Sequence, residues 1–113
     1  MSKFDEALST YQSEMKAKLG ITADADLLKA ITKGLGPSIY RADASKVSCS
    51  DKDELDRVKT NFLIKKLALK DSPALDAAIK EVCDQLGSSN RNKYRAIFYY
   101  LLVKKFKKES VYK

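Results

Sequence analysis

Histidine is absent from the sequence, and cysteine, proline and glycine are scarce. Without histidine, the chain has no Ser–His or Cys–His catalytic pair, no histidine metal ligand and no histidine switch near neutral pH. The two isolated cysteines, Cys49 and Cys83, make neither a zinc site nor a disulfide scaffold. We therefore expect free thiols in a reducing compartment, and only four glycines and two prolines interrupt regular structure.

A long apolar segment is also missing. The longest unbroken apolar run, residues 96–103, has eight residues, whereas a membrane-spanning helix needs about 20. Residues 1–6 are charged and lack the apolar centre of a secretory signal. These features predict a cytoplasmic protein that does not interact with a membrane.

The composition is that of an ordinary folded protein. Hydrophobic residues make up 44% and charged residues 33%, and the length of 113 residues suits a single domain that spans residues 1–113. The net charge is +7, and residues 91–113 hold eight basic side chains against one acid, Glu109. Such an excess of positive charge favours anionic partners and does not specify the fold.

Five helical segments are expected, four of them with the apolar spacing of helices, which predicts a compact all-α bundle without a sheet. The first three helices are expected at about residues 3–19, 24–33 and 51–67, with Gly20 ending the first. Thr22 or Asp24 is the expected cap of the second helix, and Ser50 of the third. The fourth helix is expected between Ser72-Pro73 and Gly87, and the fifth at about residues 90–108.

The middle of the fifth predicted helix carries no charge over residues 96–103, which is typical of a helix at the centre of a bundle. Residues 37–50 show no clear period beyond one possible helical turn at 38–42, and we expect Ile39, Tyr40 and Val47 to fix them to the core. The six residues predicted to form the core are Phe62, Ile79, Val82, Phe98, Leu101 and Leu102.

Two short motifs resemble ligand sites but fail on their spacing. The acidic segment 51–56 has Leu55, Asp56 and Phe62 where a calcium loop needs Asp, Gly and Glu. Gly34 and Gly36 follow a helix rather than a strand, and the third glycine of a dinucleotide loop is missing. These patterns indicate a charged helix start and a turn, and we expect no metal site and no cofactor.

The cysteines are interpreted as structural. Cys83 lies on the apolar face of the fourth predicted helix and should be buried and inert. Cys49 precedes a predicted helix start, where a thiolate is stabilised, so it should react first. A general base and a substrate pocket are not evident beside it.

The start of the fifth predicted helix carries the most suggestive polar segment, because helix N-termini bind anions. Its candidates for anion or ligand binding are Ser88, Ser89, Asn90, Arg91, Lys93 and Arg95. The alternative, which we favour, is a capped helix whose cations form salt bridges. A helical projection turns Arg95 into the bundle, where it should meet a carboxylate or a bound anion.

The opposite side of this helix forms a basic stripe with one aromatic residue, which is the pattern of a nucleic-acid surface. Its candidate residues are Lys93, Tyr100, Lys104, Lys105, Lys107 and Lys108. A convincing helix-turn-helix or RNA-binding signature does not accompany the stripe, so we expect weak and non-specific binding.

Over nearly its whole length the chain resembles a family of small bacterial proteins catalogued as domain of unknown function 2853. The resemblance rests on residues 33–40 (KGLGPSIY), 47–50 (VSCS), 61–67 (NFLIKKL) and 90–95 (NRNKYR). It implies a bacterial cytoplasmic protein and supplies no catalytic residues to carry over.

Three functions are compatible with the sequence. The leading hypothesis is a non-enzymatic helical module that binds another protein. The second is a weak nucleic-acid-binding module that uses the basic fifth helix. The third is an enzyme with an anion pocket at Arg91 and Arg95, which we consider the least favoured because a catalytic constellation is missing.

Overall fold

The computed structural model describes residues 3–41, 45–87 and 93–112. Within these ranges the fold is all-helical, as predicted, and its one extended pairing is an isolated antiparallel bridge between Lys46 and Tyr94. The five α-helices are α1 (Lys3–Glu14), α2 (Ala25–Leu35), α3 (Lys52–Arg57), α4 (Pro73–Leu86) and α5 (Arg95–Lys105).

Two of these helices continue in wider π-helical turns. α1 continues over Met15–Leu19, and α3 continues over Val58–Lys66, so both segments have nearly the predicted extents. Gly20 ends the first segment as expected, with a φ of 66° that a side chain would disfavour. Two short 3₁₀ turns complete the fold, at Gly36–Tyr40 and Glu109–Tyr112.

The start of α2 confirms one of its two predicted caps. The carboxylate of Asp24 accepts hydrogen bonds from the backbone N–H groups of Asp26 and Leu27, at 3.1 and 3.3 Å. These two donors have no partner within the helix, so the cap satisfies both of them.

The start of α3 differs from the prediction by one residue. Asp51, and not Ser50, is the cap, and its carboxylate accepts from the N–H groups of Asp53 and Glu54. A carboxylate satisfies these donors and also places negative charge at the positive end of the helix dipole. The prediction of Ser50 was therefore wrong by one residue, because serine and aspartate are comparable caps and stand next to each other here.

The end of α5 lies three residues before the predicted end. Lys107 adopts a left-handed conformation with a φ of 55°. Its N–H donates to the carbonyl of Lys104, and the N–H of Lys108 donates to the carbonyl of Val103, which is the Schellman pattern of helix termination. The chain therefore turns back, and the following 3₁₀ turn packs against α2.

The core lies around α5, whose residues 96–103 are all buried. This confirms its predicted central position, and the six residues predicted to form the core are buried as well. Ile39 and Val47 are buried as expected, but Tyr40 is 50% exposed. In the tight 3₁₀ turn, consecutive side chains diverge by about 120°, so Tyr40 points away from the core that Ile39 faces.

The two cysteines form a disulfide, which corrects the expectation of two free thiols. Cys49 and Cys83 are separated by 34 residues in the sequence, but their α-carbons lie 6.0 Å apart, within the usual range for a disulfide. The bond ties the segment before α3 to α4. The prediction that Cys49 reacts before Cys83 therefore does not apply to the oxidised protein, in which both sulfur atoms are in the disulfide.

Among the described residues, no helix combines the length and the hydropathy that a membrane span requires.

Candidate functional site

Arg95 lies at the first position of α5 and is bound on several sides. Its guanidinium forms an ion pair with Glu54 of α3 and donates to the Tyr99 hydroxyl at 3.2 Å and the Lys46 carbonyl at 3.3 Å. This confirms the prediction that Arg95 turns into the bundle and meets a carboxylate. The donors of Arg95 thus serve the fold, which disfavours the reading of Arg95 as a receptor for an external anion.

Both partners of this pair are held in their charged forms. Partial burial raises the pKa of Glu54, but hydrogen bonds from Arg95 and Arg57 outweigh burial, so the pKa is lowered overall. Burial likewise lowers the pKa of Arg95, but its bonds to Tyr99 and Glu54 prevail and raise it. Both side chains are therefore ionised near neutral pH.

Residues 45–50, which we call the strap, cross the start of α5. The N–H of Val47 donates to the Lys93 carbonyl at 2.8 Å, and the N–H of Arg95 donates to the Ser45 carbonyl at 2.7 Å. The side chain of Val47 is buried, and Lys93 is only 9% exposed. The anion-binding candidates Lys93 and Arg95 are thus built into the packing of the strap on α5.

The other predicted members of that segment, Ser88, Ser89, Asn90 and Arg91, lie outside the described residues.

The aromatic residue of the predicted basic stripe, Tyr100, does not lie on the surface. Tyr100 is 3% exposed, and its hydroxyl accepts a hydrogen bond from the N–H of Asp24 at 2.8 Å. The expectation of a surface tyrosine was wrong because α5 is surrounded by other elements, so its middle turns have no solvent-facing side. Lys93, predicted on the same stripe, precedes α5 and is buried where the strap crosses the start of that helix.

The lysines after Val103 do lie at the end of α5, where three are exposed and Lys108 is partly buried. Two of them have acidic partners: Lys104 lies 3.4 Å from Glu109, and Lys105 forms an ion pair with Glu81. These acids offset part of the positive field. The basic surface is therefore shorter and weaker than the stripe predicted.

A concave site lies between the start of α2 and the C-terminal 3₁₀ turn. This cavity, which we call the α2 groove, has a volume of about 300 Å³. Among the described residues, its lining has three carboxylates, one leucine and one tyrosine, contributed by Asp24, Asp26, Leu27, Glu109 and Tyr112. Negative charge is thus concentrated in one place on a protein whose net charge is +7.

The walls of the α2 groove differ in their chemistry. Leu27 is buried and supplies an apolar surface. Burial, with a smaller contribution from Tyr99, raises the pKa of Tyr112 to about 12, so its phenol stays protonated near neutral pH. Asp26 is exposed in the first turn of α2, and Glu109 contacts Lys104. Carboxylates and an aromatic ring together suit an ammonium or guanidinium group.

No sequence motif marks the α2 groove as a binding site. Asp24 was considered only as a helix cap, and Glu109 only as the one acid among the C-terminal cations. Tyr112 lies in a four-residue turn that shows no helical period. The sequence feature that could have pointed to the groove is the pair of acidic residues at the start of α2. Acidic residues are common at helix starts because they complement the helix dipole.

Comparison with known proteins agrees with the resemblance seen in the sequence. Residues 10–110 match the family described as protein of unknown function DUF2853. No curated protein matches the chain. Because the family match covers most of the chain, the protein belongs to the DUF2853 family.

Proposed function

We propose that the protein is a non-enzymatic binding module that holds a cationic segment of a partner protein in the α2 groove. The observation that carries this proposal is the groove itself, where Asp24, Asp26 and Glu109 surround an apolar floor. A volume of about 300 Å³ lies at the lower end of the range for ligand sites. It therefore suits one or two side chains rather than a broad interface.

Lysine and arginine side chains fit this lining in both of their parts. Their aliphatic stems pack on apolar surface while the charged ends reach polar groups. In the α2 groove, Leu27 and Tyr112 provide the surface for the stem, and Asp26 and Glu109 provide acceptors for the charge. The contact between Glu109 and Lys104 is exposed, and such pairs contribute at most about 1 kcal/mol, so a partner's cation can replace Lys104 at small cost.

The non-enzymatic part of the proposal is supported by the engagement of Arg95. The enzyme hypothesis required an anion pocket at Arg91 and Arg95, and Arg95 instead binds Glu54, Tyr99 and the strap. Cytoplasmic location and bacterial origin stay predictions. The disulfide removes the free thiols that favoured a reducing compartment, since stable disulfides are uncommon there.

The test is an NMR titration of the ¹⁵N-labelled protein with a hexalysine peptide, with hexaglutamate as the peptide of opposite charge. We expect hexalysine to shift the amide signals of Asp26, Leu27 and Tyr112, and hexaglutamate to leave them unchanged. Asp26→Asn combined with Glu109→Gln should weaken hexalysine binding about tenfold, which corresponds to about 1.4 kcal/mol.

The matched control combines Asp56→Asn with Asp84→Asn. These two exposed acids lie on α3 and α4, so the control has the same net charge as the groove variant. It should bind hexalysine like the wild type. Equal weakening by both double variants would show attraction to the protein's overall charge, and the groove proposal would then be wrong.

Nucleic-acid binding at the end of α5 is the second candidate. The observation in its favour is a cation–π contact, in which Lys66 Nζ lies 5.2 Å from the centre of the Tyr112 ring. Tyr112 thus takes the place of Tyr100 as an aromatic residue beside lysines, and aromatic rings stack on unpaired bases. A titration with oligodeoxythymidine separates the two candidates. If it binds more tightly than hexalysine, loses affinity with salt and depends on Lys104 and Lys105, the second candidate replaces the first.

A further inference from the structure

We propose that the Cys49–Cys83 disulfide is a reversible redox site, and that its reduction releases the strap, residues 45–50, from the helix bundle. The disulfide joins the strap to α4, whereas the backbone hydrogen bonds of the strap join it to α5. The same short segment is thus tied to two helices by links of different chemistry. A reductant removes one link and leaves the other in place.

The links are distributed unevenly along the strap. The first half is held by the hydrogen bonds that join Ser45 to Arg95 and Val47 to Lys93, and by the buried Val47 side chain. In the second half, Ser48 and Ser50 are exposed, and Cys49 between them carries the disulfide. Reduction therefore frees the second half directly and leaves the first half with its hydrogen bonds and Val47.

The two cysteines differ in their exposure. Cys83 is 9% exposed on the buried face of α4, whereas Cys49 is only partly buried. An incoming thiolate therefore reaches Cys49 Sγ more easily than Cys83 Sγ. Thiol–disulfide exchange requires such access to the sulfur that is attacked.

The reaction is a two-step exchange with a dithiol reductant. One thiolate of the dithiol attacks Cys49 Sγ, the Cys49–Cys83 bond breaks, and Cys83 leaves as a thiolate that takes up a proton. The second thiolate of the dithiol then attacks the mixed disulfide and releases Cys49, which is also protonated. Two electrons and two protons pass to the protein, and the dithiol becomes a disulfide.

After reduction, the two cysteine side chains differ in how firmly packing holds them in place. Protonated Cys83 is a small apolar side chain in apolar surroundings, and it fits the core without further change. Cys49 loses its covalent partner and has only its contacts with the edge of the core. The helix bundle therefore persists on reduction, while the strap, now held only by its two backbone hydrogen bonds and Val47, opens and closes locally.

Release of the strap reaches the start of α5. The Lys46 carbonyl accepts from the Arg95 guanidinium, and the Ser45 carbonyl accepts from the Arg95 N–H. When the strap opens, Arg95 keeps Glu54 and Tyr99 as partners and loses these two carbonyls. The redox state is thus linked to the exposure of a charged group 46 residues away from Cys49 in the sequence.

Hydrogen exchange of the full-length protein, with and without dithiothreitol, tests this inference. In the oxidised protein, the amides of Val47 and Arg95 should exchange at rates similar to those of Ile79 and Leu102 in the core. In the reduced protein, they should exchange at least about tenfold faster than these core amides, and low urea should leave this rate unchanged because a local opening exposes little surface.

Alkylation by iodoacetamide measures the redox reaction independently of exchange. After treatment with dithiothreitol without denaturant, one carbamidomethyl group should be added at Cys49, a second at the buried Cys83 only on unfolding, and none before reduction. Reoxidation with oxidised dithiothreitol should restore slow exchange at Val47. The variant Cys49→Ser with Cys83→Ala should show the reduced exchange pattern with and without the reductant, and the wild-type comparison holds even if this variant folds poorly.

Two results would overturn the inference. If alkylation of Cys49 after dithiothreitol treatment requires denaturant, the disulfide is not reducible in the native fold. If all four amides are accelerated by the same factor, the disulfide is a cross-link that stabilises the fold as a whole and does not control the strap.

Discussion

Arg95 and Glu54 form an ion pair that joins the start of α5 to α3. Their side chains are 17% and 15% exposed, so solvent screens this pair much less than an ordinary surface pair. The two residues are 41 positions apart in the sequence. The pair therefore stabilises a tertiary contact rather than a single helix.

Removing the charge of Glu54 should destabilise the protein. Glu54→Gln keeps the shape of the side chain, but its one amide oxygen can accept from only one of the two arginines that Glu54 binds. Hydrogen bonds to charged groups contribute about 1.5–3 kcal/mol. We expect the free energy of unfolding in urea to fall by about 2 kcal/mol. Asp56→Asn, an exposed acid on the same helix, is the control and should change stability by less than about 0.5 kcal/mol. Equal effects of the two substitutions would contradict the structural role of the pair.

The same carboxylate predicts how stability depends on pH. Because the pKa of Glu54 is lower in the folded protein than in the unfolded chain, its contribution is complete above the unfolded value of about 4.3. The contribution is lost as pH falls through the lower folded pKa. Urea midpoints measured from about pH 6 to pH 3 should therefore decline less steeply for Glu54→Gln than for the wild type. Parallel curves would refute this assignment.

The start of α3 allows a direct comparison of two neighbouring residues. Asp51→Ala removes the acceptor of two backbone N–H groups and should cost about 1 kcal/mol, the usual effect of losing an N-cap. Ser50→Ala should leave the urea midpoint nearly unchanged, since Ser50 is exposed and precedes the cap. The reverse order of effects would restore the sequence-based assignment of Ser50.

These cases show which parts of the structure the sequence could predict. Helix positions and the core followed from local patterns, such as the period of Ile79 and Val82 or the stop at Gly20. The disulfide did not, because a separation of 34 residues says nothing about distance in space. The burial of Tyr100 was indicated by the uncharged run 96–103, but the helical projection placed this residue on an exposed stripe that a helix covered all round does not have.

The candidate sites divide in the same way. The inward direction of Arg95 followed from helix geometry, although its partner Glu54 could not be named before α3 and α5 were brought together. The α2 groove requires the C-terminal turn to fold back on α2, and that reversal depends on Lys107. A lysine in a left-handed conformation has no sequence signature, because glycine is the residue that usually marks this position.

Lys107 therefore offers a test in which a substitution should stabilise the protein. Lys107→Gly relieves a conformation that costs side-chain-bearing residues about 1–2 kcal/mol, partly offset by the greater freedom of glycine in the unfolded chain. The expected net gain in unfolding free energy is about 0.5–1 kcal/mol. Lys105→Gly, inside the last turn of α5, should instead destabilise by up to about 1 kcal/mol. A loss of stability with Lys107→Gly would show that the chain does not reverse at this residue.

The hydrogen bond between the Asp24 N–H and the Tyr100 hydroxyl has a consequence for recognition. Tyr100 is anchored in α5, whose residues 96–103 are all buried, so the backbone at the rim of the α2 groove is fixed by the core itself. The backbone at this rim is already ordered before a cation binds, so the protein loses little conformational entropy on binding. Affinity at such a site depends on the partner's own flexibility, and a partner that presents its basic residue on a rigid helix would bind more tightly than one that presents it on a mobile tail.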